Sequence, residues 1–251
     1  MTVRLRKIKE TDKDKYIELQ RETWVAVNLL NNQSEKDVLW KGLFTENEKN
    51  YAILADDEIC GFCAIKHMDG EEQEISIELY KRFQHKGIGY LALKELLTIC
   101  EEEYHMKSVI SKVFPDNYPS ILLMRKVGAV PFGIERNMAV EEDKENEFRN
   151  NNRELLSENL SRVASLFCVE NEELLSRVLV FKIKLPIMGI QFDLPLTGDL
   201  CYKKDIETRA TRFIYQQMKI ALKKILAAGS QDGENAIKEG IEDLLSKYDN
   251  F

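Results

Sequence analysis

The chain has 251 residues, 44% of them hydrophobic, which is enough for a substantial core and too apolar for wholesale disorder. Its 36 Lys and Arg face 43 Asp and Glu, a formal charge of -7, so generic attraction to nucleic acid or anionic lipid is not expected. No apolar run approaches the roughly 20 residues that span a bilayer, and Met1 to Lys7 lacks the apolar segment of a secretory signal, so a cytoplasmic protein is expected.

Thr2 to Lys7 reads as a first strand. Thr11 or Asp12 can cap a following helix whose apolar positions include Tyr16, Leu19, Thr23, Val27 and Leu30. Ser34 followed by Asp37 suggests a loose capping box for a second helix, with Val38, Leu39, Leu43 and Phe44 on its apolar face. Tyr51 to Ala55 and Ile59 to His67 flank the acidic turn Asp56-Asp57-Glu58, and a third strand runs from about Gln73 to Tyr80. The five cysteines, Cys60, Cys63, Cys100, Cys168 and Cys201, are odd in number and scattered, as suits a reducing compartment. Cys60 and Cys63 lie three apart on a strand and so are expected on opposite faces; no second Cys or His pair completes a zinc set, and no metal is expected.

Between the strand Glu74 to Tyr80 and a helix from Ile88 to about Glu103 lies Gln84-His85-Lys86-Gly87-Ile88-Gly89. That order brings free backbone N–H groups and a helix N-terminus together, with two glycines that permit close approach of an anion. A phosphate-bearing ligand is the first functional hypothesis. The segment lacks the closing Gly-Lys-Ser/Thr of a nucleoside triphosphate loop and the third glycine of a dinucleotide fingerprint.

Ser108 to Phe114 is a further strand, Asn117 to Lys126 a short helix ended by Gly128, and Ala129 to Val140 holds strand material interrupted by Pro131 and Gly133. Strands alternating with helices point to an α/β fold. Glu141 to Arg153 is almost wholly polar and marks a candidate boundary, as a solvated linker or exposed helix. The expected organisation is a unit over 1–140, the polar segment 141–153, and an accessory region over 154–251. Within that region Leu155, Leu156, Leu160, Val163, Ala164 and Phe167 mark a helix. Val178 to Leu185 and Ile190 to Leu196 suggest a hairpin, and Asp205 to Ala228 and Ala236 to Tyr248 two amphipathic helices. Their stripes need burial on the same chain or on a second subunit, so a homodimer is one expected partner arrangement.

Gln84, Gly87 and Gly89, placed after a strand and before a helix, resemble the coenzyme-binding pattern of the GNAT superfamily of acyl-coenzyme A dependent N-acyltransferases. A second segment, Asn117-Tyr118-Pro119-Ser120 through Lys126-Val127-Gly128-Ala129, resembles another stretch of that family. The resemblance covers about residues 1–140. It implies a mixed, mostly antiparallel sheet flanked by helices, with an additional α+β or mainly helical C-terminal region.

The resemblance also implies roles. Backbone groups at Leu79 and Lys81 would bond the pantetheine arm of acetyl-CoA or another acyl-CoA, and N–H groups of Gln84, His85, Lys86, Gly87, Ile88 and Gly89 would hold its pyrophosphate. Asn117 and Ser120 would be further polar contacts to the coenzyme. Family members splay the strand ending at Leu79 from the strand ending at Val113, making a slot in which an amine attacks the thioester. Glu78, on one strand face with Glu74, Ser76 and Tyr80, is the candidate base. Met124 stands where many relatives carry a proton-donating tyrosine, and Tyr118 is the candidate substitute, with water as the other source of the proton. Ala129 replaces the usual aromatic after the glycine, and Phe132 is expected to fill that volume. The expected acceptor is an amine of a small molecule, peptide or protein. Two other classes stay open: an acyl-CoA binding or regulatory module without efficient turnover, and a scaffold or dimerisation protein.

Overall fold

A computed structural model describes residues 1–22, 33–137, 140 and 142–187. Short alternating strands dominate its first half. β1 (Val3–Lys7), β2 (Glu48–Ala55), β3 (Glu58–Lys66) and β4 (Glu74–Leu79) pair antiparallel in sequence order. β5 (Ser108–Val113) runs parallel to β4; β6 (Val130–Arg136) and β7 (Arg177–Lys184) complete a seven-stranded sheet of order β1-β2-β3-β4-β5-β7-β6. The mixed, mostly antiparallel sheet expected from the sequence is the one observed.

Each face of the sheet buries a helix. On one, Ile53, Cys63, Ile65 and Ile75 pack with Leu93, Leu96, Leu97 and Cys100 of α3 (Ile88–Glu102). On the other, Ala52, Leu54, Phe62 and Tyr80 pack with Leu19 of α1 (Lys13–Glu22). The cysteine expectation fails for a local reason. Ile53 pairs with Gly61 and Leu54 with Ile59, so Cys60 is the extra residue of a β-bulge. The bulge resets the alternation and turns both Cys60 and Cys63 into the α3 core, where burial raises their thiol pKa values, that of Cys60 to about 11.

The capping expectations also change. Asp12 ends a 3-10 turn (Glu10–Asp12), where its carboxylate accepts from the Lys9 N–H at 2.8 Å and holds Arg6 through both oxygens. It therefore reaches back rather than capping α1. α2 (Gln33–Lys41) begins before Ser34, and Asp37 binds Lys13 and Gln33 instead of closing a capping box. The buried anchor of this region is Trp40, whose Nε1 donates to Glu10 at 2.8 Å, whereas Phe44 is exposed.

Beyond β6 the polar segment folds as a 3-10 turn (Glu142–Lys144), α5 (Glu145–Asn151) and a second turn (Arg153–Leu155). The Glu145 carboxylate gathers Arg149, Arg177 and the fully buried Ser176, tying α5 to the start of β7. α6 (Glu158–Phe167), capped by Ser157, and α7 (Asn171–Leu174) lead into that strand. β7 pairs with β5 from Ser108↔Lys184 to Val113↔Leu179 and with β6 from Val130↔Lys182 to Arg136↔Arg177. Both of its edges are therefore filled by β5 and β6. The second strand of the expected hairpin, Thr23, Val27, Leu30, Cys201 and the two helices expected beyond Asp205 lie outside the described residues.

Candidate active site

The backbone ladder between β4 and β5 is confined to the start of β4. Glu74 pairs with Ile110, and the Ile110 N–H donates to Gln73 at 2.8 Å; beyond that point no ladder joins them. β5 is held by β7 over its whole length while β4 is held by β3, so the two strands part toward Leu79 and Val113 and leave a slot. This is the splay that the family resemblance implied.

At the open end, β4 is drawn against β3 by Gly61. A Cβ there would lie 2.1 Å from the Glu78 carbonyl oxygen and 3.0 Å from Leu79 Cα, so only glycine allows this approach. Tyr80 N–H donates to Cys60 at 3.1 Å. The Leu79 carbonyl accepts from Gln84 Nε2 at 3.0 Å, and the Lys81 N–H donates to the Glu22 carboxylate at 3.0 Å. Both backbone groups expected to meet the pantetheine arm thus reach polar partners at the surface.

The loop that follows turns through His85 (φ 58) and Gly87 (φ 79), both in the left-handed region. Gly87 is the N-cap of α3, and the first helical bond runs from Leu91 N–H to the Gly87 carbonyl at 3.2 Å. The preceding N–H groups, Ile88 and Gly89 among them, have no partner within the helix, and the dipole adds positive potential there. No acidic residue occupies the first turn of α3. Gly87 faces open space, while a Cβ on Gly89 would meet Leu79 Cδ1 at 3.4 Å and Leu123 Cδ2 at 3.6 Å, so Gly89 brings α3 close to the slot walls. Lys86 Nζ lies 5.7 Å from the Phe83 ring centre and Lys126 Nζ 4.6 Å from that of Tyr90, adding positive charge around the loop. The arrangement suits a diphosphate ester.

On the far wall, the Asn117 side chain accepts from the Ser120 N–H at 3.2 Å and caps α4 (Tyr118–Lys126). One expected coenzyme contact is therefore also a helix cap. Met124 is buried in the core. Tyr118 is buried as well, its hydroxyl 3.3 Å from Ser157 Oγ at the start of α6, and burial raises its pKa. Phe132 does not fill the volume after Gly128: it is 54% exposed, with Lys182 over its ring at 4.4 Å, and Ala129 itself is buried.

Glu78 lies on the α1 side of β4, opposite Phe62. Its Oε2 accepts from Gln20 Nε2 at 2.6 Å. Burial raises its pKa, against the opposing pull of Gln20 and Lys66. Tyr16, one helical turn before Gln20, feels the Glu78 charge and is likewise raised, chiefly by burial. Glu74, although on the same strand face, belongs to the closed end of the slot with Lys112 and His67. The sequence reading missed Gln20, Tyr16 and Gly61 as site residues. A glutamine at i+4 from a tyrosine, beside Leu19 on the inward side of α1, was the available signal for the first two; a glycine inside a strand pattern was the signal for the third.

Among the described residues no group of three or more His, Cys, Asp or Glu side chains is arranged to hold a metal ion, and no helix is long and apolar enough to cross a membrane. The sequence profile of the acetyltransferase (GNAT) domain matches residues 2–130. Among solved structures, the RimL ribosomal L7/L12 alpha-N-protein acetyltransferase is 16% identical with a TM-score of 0.53, over 74% of this chain and 91% of its own. Its complex with coenzyme A gives 15% and 0.53 over 73% and 94%. The spermidine N-acetyltransferase from Vibrio cholerae, in complex with CoA and spermine, gives 13% and 0.52 over 74% and 96%. Identities this low establish a common fold. None of the curated protein sequences matches this one.

Proposed function

The chain belongs to the GNAT acetyltransferase family, and on that premise we propose that it transfers an acetyl group from acetyl-CoA to a primary amine by direct attack on the thioester. The observation that carries this reading is the end of the β4–β5 ladder before Leu79 together with the glycine-capped N-terminus of α3, whose Gly89 packs against Leu79. The N–H groups from His85 to Gly89 hold the pyrophosphate, next to Gln84, whose own N–H donates to the Lys81 carbonyl at 3.2 Å, and Leu79 and Lys81 bond the pantetheine amides after exchanging their present partners. The coenzyme supplies an activated acyl group and a thiolate leaving group.

An alkylammonium with a pKa near 10 is mostly protonated at pH 7 and must lose a proton before it can attack. Glu78 takes it, directly or through a water: its carboxylate lies on the α1 side of β4 beside Gln20, the side this reading assigns to the acceptor, and burial makes it a stronger base than an exposed one. A backbone N–H of β4 faces the developing oxyanion, and orientation with fixed dipoles supplies most of the barrier reduction. Met124 has no proton to give, so water protonates the departing thiolate, with the Tyr118 hydroxyl, 3.3 Å from Ser157 Oγ, as the alternative donor. No covalent enzyme intermediate is needed. The solved relatives whose names state spermidine or a ribosomal protein as substrate direct the choice of acceptors to test: polyamines and peptide amines. The scattered cysteines and the charge fit action in the cytoplasm.

Acetyl-CoA consumption by the purified chain with a panel of polyamines, aminoglycosides and peptides tests the reaction. A second reading, a coenzyme-binding module without turnover, is favoured by Met124. Tight calorimetric binding of acetyl-CoA with no consumption over the panel would select it.

A further inference from the structure

Gln20 is a neutral amide buried in a place where the helix around it cannot shift freely. It is 4% exposed. α1 is pinned over the turn that leads to it: the Tyr80 hydroxyl donates to the Lys15 carbonyl at 2.5 Å, Tyr16 stands edge-on to Phe62 at 5.2 Å, and Leu19 is fully buried. From this fixed platform Nε2 reaches Glu78 at 2.6 Å. Resting on the reading of Glu78 as the base, we propose that Gln20 is the positioning residue of the site: its amide N–H fixes the Glu78 carboxylate toward the acceptor side of β4 and holds it in the proton-accepting form.

The residue type matters to this role. Burial alone pushes a carboxyl toward its neutral form, and an apolar neighbour would leave that push unopposed. A cation at position 20 would pair with the carboxylate and weaken it as a base. An amide donor lies between these extremes, since it favours the ionised form through a hydrogen bond without adding charge. Among the described residues, the other groups that act on Glu78 are Tyr16 from α1, which is held in its protonated form, and Lys66 from β3, whose charge acts in the same direction as Gln20. Neither makes a hydrogen bond that replaces the one from Gln20.

Carboxyl-13C NMR of the full chain labelled at glutamate tests the inference without knowledge of the acceptor. The signal lost in Glu78→Gln identifies the Glu78 carboxyl. Its titration midpoint is expected to rise by about one pH unit in Gln20→Met, which keeps the side-chain length and removes the donor, and in Gln20→Ala. With an accepted amine, the acidic limb of kcat/KM moves up by the same amount and activity returns at high pH, which a mere packing defect would not produce. Acetyl-CoA affinity stays within twofold and reports an intact fold. A midpoint that stays put or falls in the Gln20 variants overturns the inference and leaves the reading of Glu78 standing. Full turnover by Glu78→Gln overturns that reading, and the inference with it.

Discussion

Gly61 is the point at which the sheet tolerates least change. Replacing it with alanine puts a Cβ 2.1 Å from the Glu78 carbonyl oxygen and 2.7 Å from Leu79 Cδ2. Carbon and carbonyl oxygen normally approach to about 3.3 Å, so β3 and β4 must open by roughly 1 Å at this pair. The Tyr80 N–H bond to Cys60 at 3.1 Å and the Gly61–Leu79 pairing lie on the line of opening. Two weakened hydrogen bonds at about 1 kcal/mol each, with about 1–3 kcal/mol for overpacking, give a destabilisation of about 3–5 kcal/mol. For a chain of this size that lowers Tm by about 10 °C. Scanning calorimetry of Gly61→Ala beside Gly133→Ala, where an added Cβ meets nothing within 4 Å, separates this contact from a general cost of replacing strand glycines. Because the displaced residue is Leu79, acetyl-CoA affinity measured well below the transition should also fall. A Gly61→Ala protein melting within about 2 °C of the parent would refute the reasoning.

Gly87→Trp and Gly89→Trp should each weaken acetyl-CoA binding by tenfold or more in isothermal titration, the first through its positive φ and the second by crowding Leu79 and Leu123; unchanged binding in both would displace the coenzyme from this loop. Glu78→Gln should lower turnover by about 10²–10⁴ with coenzyme affinity retained. The same variant has a stability signature. Burial holds the Glu78 pKa above its ordinary 4.5, so the folded state binds more protons between that value and the raised one, and stability falls as pH climbs through the window. Glu78→Gln removes this loss, so its stability relative to the parent should be greater at pH 8 than at pH 4 in urea titrations. Tyr118→Phe gives up one long hydrogen bond to Ser157 and should cost about 1 kcal/mol or less while kcat stays within twofold; a drop of tenfold would return the acid role to Tyr118.

What was legible in the sequence was whatever local pattern decides. The strands from β1 to β5, the glycine-bearing turn before α3 and the start of α3 follow from alternation, glycine placement and helix periodicity, and the structure has them within a few residues of the expected bounds. The misreadings share a different cause, in that a tertiary partner overrode a local rule. Asp12 turned back because Arg6 on the neighbouring strand competes for its carboxylate. Cys60 changed face because a bulge admits one extra residue. Trp40 became a buried anchor because Glu10, thirty residues earlier, accepts its indole N–H. At the site, Glu78 could be chosen from strand parity, but its partner Gln20 lies on another element and only the packing of α1 reveals it.

β7 is the last described strand in the chain and yet an inner one in the sheet. A nascent chain leaving the ribosome presents Ser108–Val113 and Val130–Arg136 long before Arg177–Lys184 exists to lie between them. During that interval two strand edges stand bare, a state that invites pairing with other chains. In the finished fold the polar stretch around α5 is tied to the closing strand by Glu145, which pairs with Arg177 at the strand's first residue. A gene cut near Val140 would yield a product lacking this keystone, bound for inclusion bodies rather than for a smaller working enzyme.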